Sequence, residues 1–407
     1  MNADMQAWKQ QFEDELQHNI LRFWMTHTRD EEQGGFYGEI SPTMQVQTDA
    51  EKGLVLNARI LWTFSSAYRL NPDPAYADMA NRAYEVLTSQ FVDAEFGGLF
   101  WAVDPIGRPT ADKKQVYGQA FVIYALAEYN RAFGHDQARE QAIALFHLME
   151  RYSYDRQYKG YVEALSRAWE PMEEVSLSAK DMNEKKSMNT HLHVLEAYTN
   201  LYRIWPADEL ADKLTELIET TIRYIIDTET GHFHLFLDEA WTVKSDHISY
   251  GHDIEGSWLL VEAAQVLENP GLLEQVKTVA LKMAEATLKE GVDPDGGLLN
   301  EASARDGLID TNKDWWPQAE AVVGFFNAYQ MSGDQSYLEA ARNSWSFIQQ
   351  YLIDRKHGEW YWGVTREGQP VPDAPKVSAW KCPYHNGRAC IEMIERIDQL
   401  ITMEGSR

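Results

Sequence analysis

Three histidines stand at matching points of three separate helical segments: His193 in NTHLHVLEAY, His252 in YGHDIEGSWLL and His385 in YHNGRACIEMI. Histidine can take up or release a proton near neutral pH because its unperturbed pKa is about 6.5. Two such groups on opposite sides of a substrate could take a proton from one face of a carbon and return it to the other, which inverts a stereocentre. A carbon acid also needs an adjacent carbonyl and something to stabilise the developing enolate oxygen. Arg59 in LNARILW, permanently charged and carrying a planar fork of donors, suits that task. The amide of Asn189 could add a hydrogen bond. His191 lies two residues from His193, about 200° round a helix, so the two cannot face one pocket and the HLH pair makes a poor metal site.

These residues need a scaffold that brings distant segments together, and a recurrent phrase points to one. DEEQGGFY begins at Asp30, DAEFGGLF at Asp93, DRQYKGYV at Asp155, DTETGHFH at Asp227, DPDGGLL at Asp293 and DRKHGEWY at Asp354. Steps of roughly sixty to seventy residues indicate repeated supersecondary units. The second small position of each phrase (Gly35, Gly98, Gly160, Gly231, Gly297, Gly358) is expected to turn the backbone with φ > 0. An amphipathic helical pattern precedes each turn, as in YADMANRAYEVLTSQFV. A second helix follows about twenty to thirty residues later, apolar and small round more of its circumference, as a helix packed on several sides should be. Six hairpins with inner and outer members predict an all-α chain folded as a closed (α/α)6 barrel, a single domain spanning 1–407, with glycine turns and short strands at one mouth. The starts of the inner helices would then surround one concave pocket carrying Asn57, Arg59, Tyr117, Gln119, Asn189, His193, His252, Glu255, Trp315, Gln318, His385, Asn386 and Arg388.

Flat aromatic faces, Trp315, Trp316 and Trp380 with Tyr117 and Trp101 from other units, could lie against the C–H faces of a pyranose, the Trp315–Trp316 doublet splitting between wall and core, while Glu255, Glu301 and Gln318 could hold hydroxyls. A polar site with a few flat walls indicates a carbohydrate ligand. No G-x-G-x-x-G turn, P-loop or zinc pattern occurs, so no cofactor and no metal are expected. With 37 Lys plus Arg against 63 Asp plus Glu, the formal charge is −26, a field that repels phosphate backbones and excludes nucleic acid. The opening MNADMQAWKQQFEDELQ lacks a basic end followed by an apolar block, and no stretch of eighteen apolar residues runs uninterrupted. A cytoplasmic protein without membrane contact is expected, a monomer in preference to a dimer, with a small sugar as its partner.

The segments GLVLNARILWTFSSAYR, SAKDMNEKKSMNTHLHVLEAYTNLYR, YGHDIEGSWLL, DWWPQAEAVVGFFNAYQ and WKCPYHNGRACIEMI closely resemble cellobiose 2-epimerases of the N-acylglucosamine 2-epimerase superfamily, from about residue 10 to residue 400. The resemblance implies an (α/α)6 barrel acting on the reducing-end glucose or mannose of β-1,4 disaccharides through ring opening, a cis-enediol and reprotonation. It assigns His385 and His252 as the acid/base pair, with His385 taking the proton from the gluco epimer, His193 as the third histidine assisting at the enediol oxygens, and Arg59 as the essential arginine. It places Tyr117 and Asn189 near the reacting sugar and Glu255, Glu301, Trp315 and Trp380 around the two rings. DMNEKKSMN departs from the family pattern, in a loop that could tune which disaccharide fits. A mannobiose or D-mannose 2-epimerase shares the same histidines and arginine. From other classes, an (α/α)6 glycoside hydrolase would use two carboxylates instead, and a renin-binding-type protein would need no turnover.

Overall fold

The computed structural model describes residues 2–405. Its helices in chain order are α1 (Asn2–Asp14), α2 (Arg22–His27), α3 (Leu54–Leu70), α4 (Pro74–Val86), α5 (Val116–Phe133), α6 (Asp136–Tyr152), α7 (Met188–Tyr202), α8 (Asp208–Thr220), α9 (Tyr250–Val266), α10 (Pro270–Glu290), α11 (Trp315–Ser332), α12 (Gln335–Phe347) and α13 (Tyr384–Gly405). Helices α3, α5, α7, α9, α11 and α13 form an inner ring in which each packs on the next and α13 returns to α3. The others stand outside, and α1 closes the outer layer against α13. The expected (α/α)6 barrel is thus the observed architecture.

Sequence accounts for which helix stands where. Every residue of α3 from Leu54 to Ala67 is buried, the environment its small and apolar composition suits. Outer helix α8 instead buries one stripe, Leu210, Leu214, Leu217 and Ile218, and turns its charges to solvent. The closing seam is aromatic, with the Phe12 and Trp345 rings 4.2 Å apart. Four outer stretches, Glu15–Leu21, Leu87–Phe91, Thr221–Ile225 and Ile348–Leu352, wind as π-helix. Apolar spacing predicts ordinary helix there, because a period of three to four residues does not register one extra residue in a turn.

In each of the six recurrent phrases an antiparallel bridge closes the turn, for example Val92 with Leu99 and Ile353 with Trp360. The leading aspartate caps it: Asp93 Oδ1 accepts from the backbone N–H of Glu95 at 3.1 Å and of Phe96 at 3.3 Å. Gly98 takes the left-handed conformation at φ 71°. The fifth phrase is shorter, and there Gly296 at φ 86° takes that role in place of the expected Gly297.

Short strands then lead into the inner helices: β1 (Lys52–Gly53), β2 (Ala102–Val103), β3 (Pro109–Ala111), β4 (Lys114–Gln115), β5 (Ala164–Leu165), β6 (Lys186–Ser187), β7 (Phe236–Leu237), β8 (His247–Ser249), β9 (Glu301–Ser303), β10 (Gly307–Asp310), β11 (Lys313–Asp314) and β12 (Gly363–Val364). They pair antiparallel as β1–β2–β3, β4–β5, β6–β7, β8–β9–β10 and β11–β12. A buried lysine just ahead of an inner helix reaches back to the aspartate of its own turn. The pairs are Lys52–Asp30 at 3.0 Å, Lys114–Asp93, Lys186–Asp155 and Lys313–Asp293 each at 2.9 Å, and Lys376–Asp354 at 2.7 Å. In the fourth unit Ile248 holds the lysine position, and a different clamp appears: His232 Nδ1 meets Asp253 Oδ2 of α9 at 2.7 Å. Burial opposes charge on His232, but that carboxylate outweighs it and raises the histidine above its usual range. These clamps fix the start of each inner helix at the mouth. Among the described residues no helix is long and apolar enough to cross a membrane.

Candidate active site

The mouth opens into a cavity of about 450 Å³ lined by Arg59 of α3, Tyr117 of α5, Asn189 and His193 of α7, His252 and Glu255 of α9, Trp315 and Trp316 of α11 and His385 of α13. Trp380, Trp362 and the segment 177–181 complete the wall. Nine of the ten residues that the family resemblance assigns therefore converge, whereas Asn57, Gln119, Gln318, Asn386 and Arg388, also at the starts of inner helices, do not line the cavity. Glu301 does not line the cavity: it lies on β9, opposite Ser249 of β8 on one side and Asp310 of β10 on the other. Burial and the Asp310 charge both raise its pKa.

Each of the three histidines is held by Nδ1. His193 meets Glu196 Oε2 at 2.9 Å, His252 meets Ser249 Oγ at 2.8 Å and His385 meets Glu320 Oε1 at 2.7 Å. With Nδ1 engaged, Nε2 is the ring atom left to the cavity. A carboxylate can only accept, so in neutral His193 and His385 the Nδ1 carries the proton and Nε2 presents a lone pair. Burial lowers the pKa of all three. His252 falls to about 3 with the nearby His193 adding to the effect, and His385 is lowered further by the Arg59 and Arg388 charges. His193 is lowered by burial against the pull of Glu196. At neutral pH the three are uncharged bases. His191, by contrast, faces away: its Nε2 accepts from the Tyr161 N–H at 2.9 Å and its Nδ1 lies 2.7 Å from the Ser187 carbonyl.

Arg59 lies between the Phe121 and Tyr384 rings, 4.3 and 4.8 Å from their centroids, and donates to the Tyr117 hydroxyl at 2.8 Å. Four buried polar atoms of cavity residues have no hydrogen-bond partner among the described residues: Arg59 Nε, Asn189 Oδ1, Glu255 Oε2 and Trp315 Nε1. Buried polar groups are normally satisfied, and unsatisfied ones gathered round a single cavity are the mark of a ligand with complementary donors and acceptors. Trp316 lies close to two of the histidines with its ring tilted against theirs, 4.6 Å from His252 and 5.6 Å from His385 between ring centroids.

Beneath the histidines runs a buried charge network. Arg388 Nη2 donates to Glu255 Oε1 at 2.6 Å and to Glu320 Oε1 at 2.7 Å, while Nη1 donates to Glu196, which also accepts from the Tyr384 hydroxyl. Trp258 Nε1 donates to the other oxygen of Glu320 at 3.0 Å. One guanidinium among three carboxylates cannot hold all of them charged. Burial pushes Glu196 up, but Arg388 and His193 outweigh it and bring it down to about 2. Glu255 is pushed up to about 8 by burial and the Glu320 charge, so it carries a proton at neutral pH. Glu255, Glu320 and His385 present ligand atoms within 4.8 Å of one another, a spacing a metal ion could use. Arg388 already supplies the positive charge between those carboxylates and would repel an incoming cation.

Residues that sequence reasoning left out of the site are instructive. Glu196 lies three positions from His193 on the same helix face, a spacing that was available. Glu320 reaches His385 from another helix, and only the ring brings them together. The doublet Trp315 and Trp316, expected to split between wall and core, instead lines the cavity with both members. Segment 177–181 leads into the divergent stretch 181–189 and has no local pattern.

Residues 34–389 match the family model for N-acylglucosamine 2-epimerase (GlcNAc 2-epimerase). The chain is 46% identical over 386 residues to a cellobiose 2-epimerase of Bacteroides fragilis, covering 95% of this chain and 98% of that one. Among solved structures, the cellobiose 2-epimerase of Bacillus thermoamylovorans matches with TM-score 0.92 at 40% identity, covering 96% of this chain and all of that one. That of Spirochaeta thermophila matches with TM-score 0.90 at 39% identity over 98% of each. The chain belongs to the N-acylglucosamine 2-epimerase family.

Proposed function

We propose that the protein inverts C2 of the reducing-end glucose or mannose of β-1,4-linked disaccharides, converting cellobiose to glucosylmannose and lactose to epilactose without a cofactor. The observation that carries this is the set of three uncharged histidines, each held by Nδ1, around a cavity whose remaining buried polar atoms await partners. The relatives named as cellobiose 2-epimerases support the choice of sugar.

In this reading the sugar ring opens and the C1 carbonyl acidifies the C2 proton. His385 takes that proton at Nε2, and the Glu320 carboxylate on Nδ1 steadies the resulting imidazolium. The cis-enediol oxygens receive hydrogen bonds from Arg59 and Tyr117, and an enediol O–H donates to Nε2 of His193, in a buried setting where each is stronger than in water. Rotation about C2–C3 presents the other face, His252 takes up a proton from solvent and delivers it to C2, His385 releases its proton to solvent, and the ring closes. One proton leaves the carbon and one returns, so no redox partner is needed. Asn189, Glu255, Trp315 and Trp380 hold the sugar, and Glu301 meets the outer ring from the rim. The chain acts as one domain, a monomer whose partner is the sugar.

Incubation with cellobiose, lactose, mannobiose and mannose in parallel, read by proton NMR, tests the assignment. A new reducing-end mannose signal from cellobiose, formed faster than any product from mannobiose or mannose, is expected. Free glucose from cellobiose would instead identify a hydrolase.

A further inference from the structure

The three histidines are not held alike. His193 and His385 turn Nδ1 to carboxylate oxygens, which can only accept, so each keeps its proton at Nδ1 and meets the cavity with a bare Nε2. His252 turns Nδ1 to the hydroxyl of Ser249 at 2.8 Å, and a hydroxyl both donates and accepts. The carboxylates fix one tautomer, whereas the serine leaves two open.

Ser249 ends β8 and is the N-cap residue of α9. A serine in that position ordinarily accepts from a backbone N–H two or three residues on and so satisfies the first turn of its helix. Ser187, which precedes α7 in the same way, does this and accepts from the Thr190 N–H at 3.1 Å. Ser249 makes no such cap and turns its side chain to the ring of His252 instead. Its hydroxyl has no other hydrogen-bond partner among the described residues, and the residue is 4% exposed. A buried O–H with a single neighbour is satisfied by donating to it. Donation to Nδ1 makes that nitrogen the acceptor and places the imidazole proton on Nε2, toward the cavity. His252 is then the one histidine of the three that offers a proton to a substrate while uncharged. Burial closes the other route, a charged imidazolium, by bringing its pKa down to about 3.

We infer that Ser249 is a positioning residue that makes His252 a neutral acid, by holding it as the Nε2–H tautomer, and that its hydroxyl is the route by which a solvent proton reaches this histidine. The inference rests on the epimerase reading for the identity of the carbon that receives the proton. The Nε2–H bond breaks as the new C2–H bond forms, the serine O–H passes its proton to Nδ1, and the serine oxygen takes one from solvent. His252 ends as the Nδ1–H tautomer with a bare Nε2, which is the form required of a base when the manno epimer is the substrate. It changes role between the two directions without holding a charge, whereas His385, backed by Glu320, passes through imidazolium.

Two measurements on the full chain test this. Two-bond proton–nitrogen correlation spectra of protein carrying isotope-labelled histidine, assigned through His193→Asn, His252→Asn and His385→Asn, show which ring nitrogen bears each proton. His193 and His385 should be protonated at Nδ1 and His252 at Nε2, and a His252 protonated at Nδ1 like the other two would overturn the inference. The second measurement follows cellobiose in D2O and compares deuterium at C2 of the remaining cellobiose with the glucosylmannose formed. Ser249→Ala slows delivery to the manno face while His385 still exchanges on the gluco face, so this ratio should rise about tenfold, the worth of one buried hydrogen bond. Ser249→Thr keeps the hydroxyl and should leave the ratio near that of the unmodified protein. Exchange and conversion falling together by one factor in Ser249→Ala, or a rise that Ser249→Thr shows equally, would mark a structural serine and overturn the inference. Absence of C2 exchange in the unmodified protein would defeat the epimerase reading, and the tautomer spectra would still decide the role of the serine.

Discussion

At the scale of single residues the central fact is that the site stores its proton on a carboxyl group and not on a histidine. Burial keeps His193, His252 and His385 uncharged, whereas Glu255 is pushed up to about 8. The base form of His385 is accordingly full across neutral and mildly acidic pH. The rate should show no acid limb near the ordinary histidine value and should fall as pH rises through about 8, where Glu255 loses its proton. A pH profile of kcat checks this, and Glu255→Gln should abolish the alkaline limb. The same shift sets a sign for stability. A carboxyl whose folded pKa exceeds its unfolded one binds more protons when folded, so its contribution is present below the unfolded value of 4.5 and is lost as pH rises from there to about 8. Replacing His385 or His252 by Asn keeps the shape, removes the base and should lower kcat by about a hundred- to ten-thousand-fold. The histidines and Arg59 were legible from type and spacing alone. Glu320 and Arg388 as their supports were not, because a hydrogen bond between α11 and α13 leaves no trace in local periodicity.

At the scale of elements, the repeated turn proves to be half of a two-part device. The sequence displays the aspartate and glycine that shape each turn, and both functions are visible in the phrase itself. The lysine that completes the device stands about twenty to thirty residues on, ahead of the next helix, and its role emerges only when strand and turn are side by side. The fourth unit departs from the pattern where His252 and Glu255 are borne, replacing the lysine by a His232–Asp253 clamp on α9 itself. Breaking a clamp strands a buried carboxylate. Lys376 and Asp354 are each 1% exposed, and Lys376→Met should reduce unfolding free energy by about 3–5 kcal/mol in a urea titration. The π-wound ends of the outer helices lay beyond sequence periodicity, as did the shift of the left-handed residue to Gly296, since both depend on a one-residue difference in length.

At the scale of the whole molecule, a closed ring lets residues nearly two hundred positions apart, such as His193 and His385, face one cavity without either lying on a flexible segment. Composition and repeat spacing sufficed for the ring because inner and outer helices differ in how much of their circumference is apolar. They did not suffice for the outline of the pocket, which the 171–185 loop and Trp362 complete from outside the repeat. A net charge of −26 leaves the mouth open to neutral sugars and unfavourable to phosphorylated ones. The claim on which all three scales converge is that histidines from separate units exchange a proton at one carbon. Proton NMR of cellobiose incubated with the protein in D2O tests it most directly. The account predicts a growing reducing-end mannose signal in product deuterated at C2, absent with His385→Asn. Mannose product that retains its original C2 hydrogen, or no exchange at C2 at all, would contradict it.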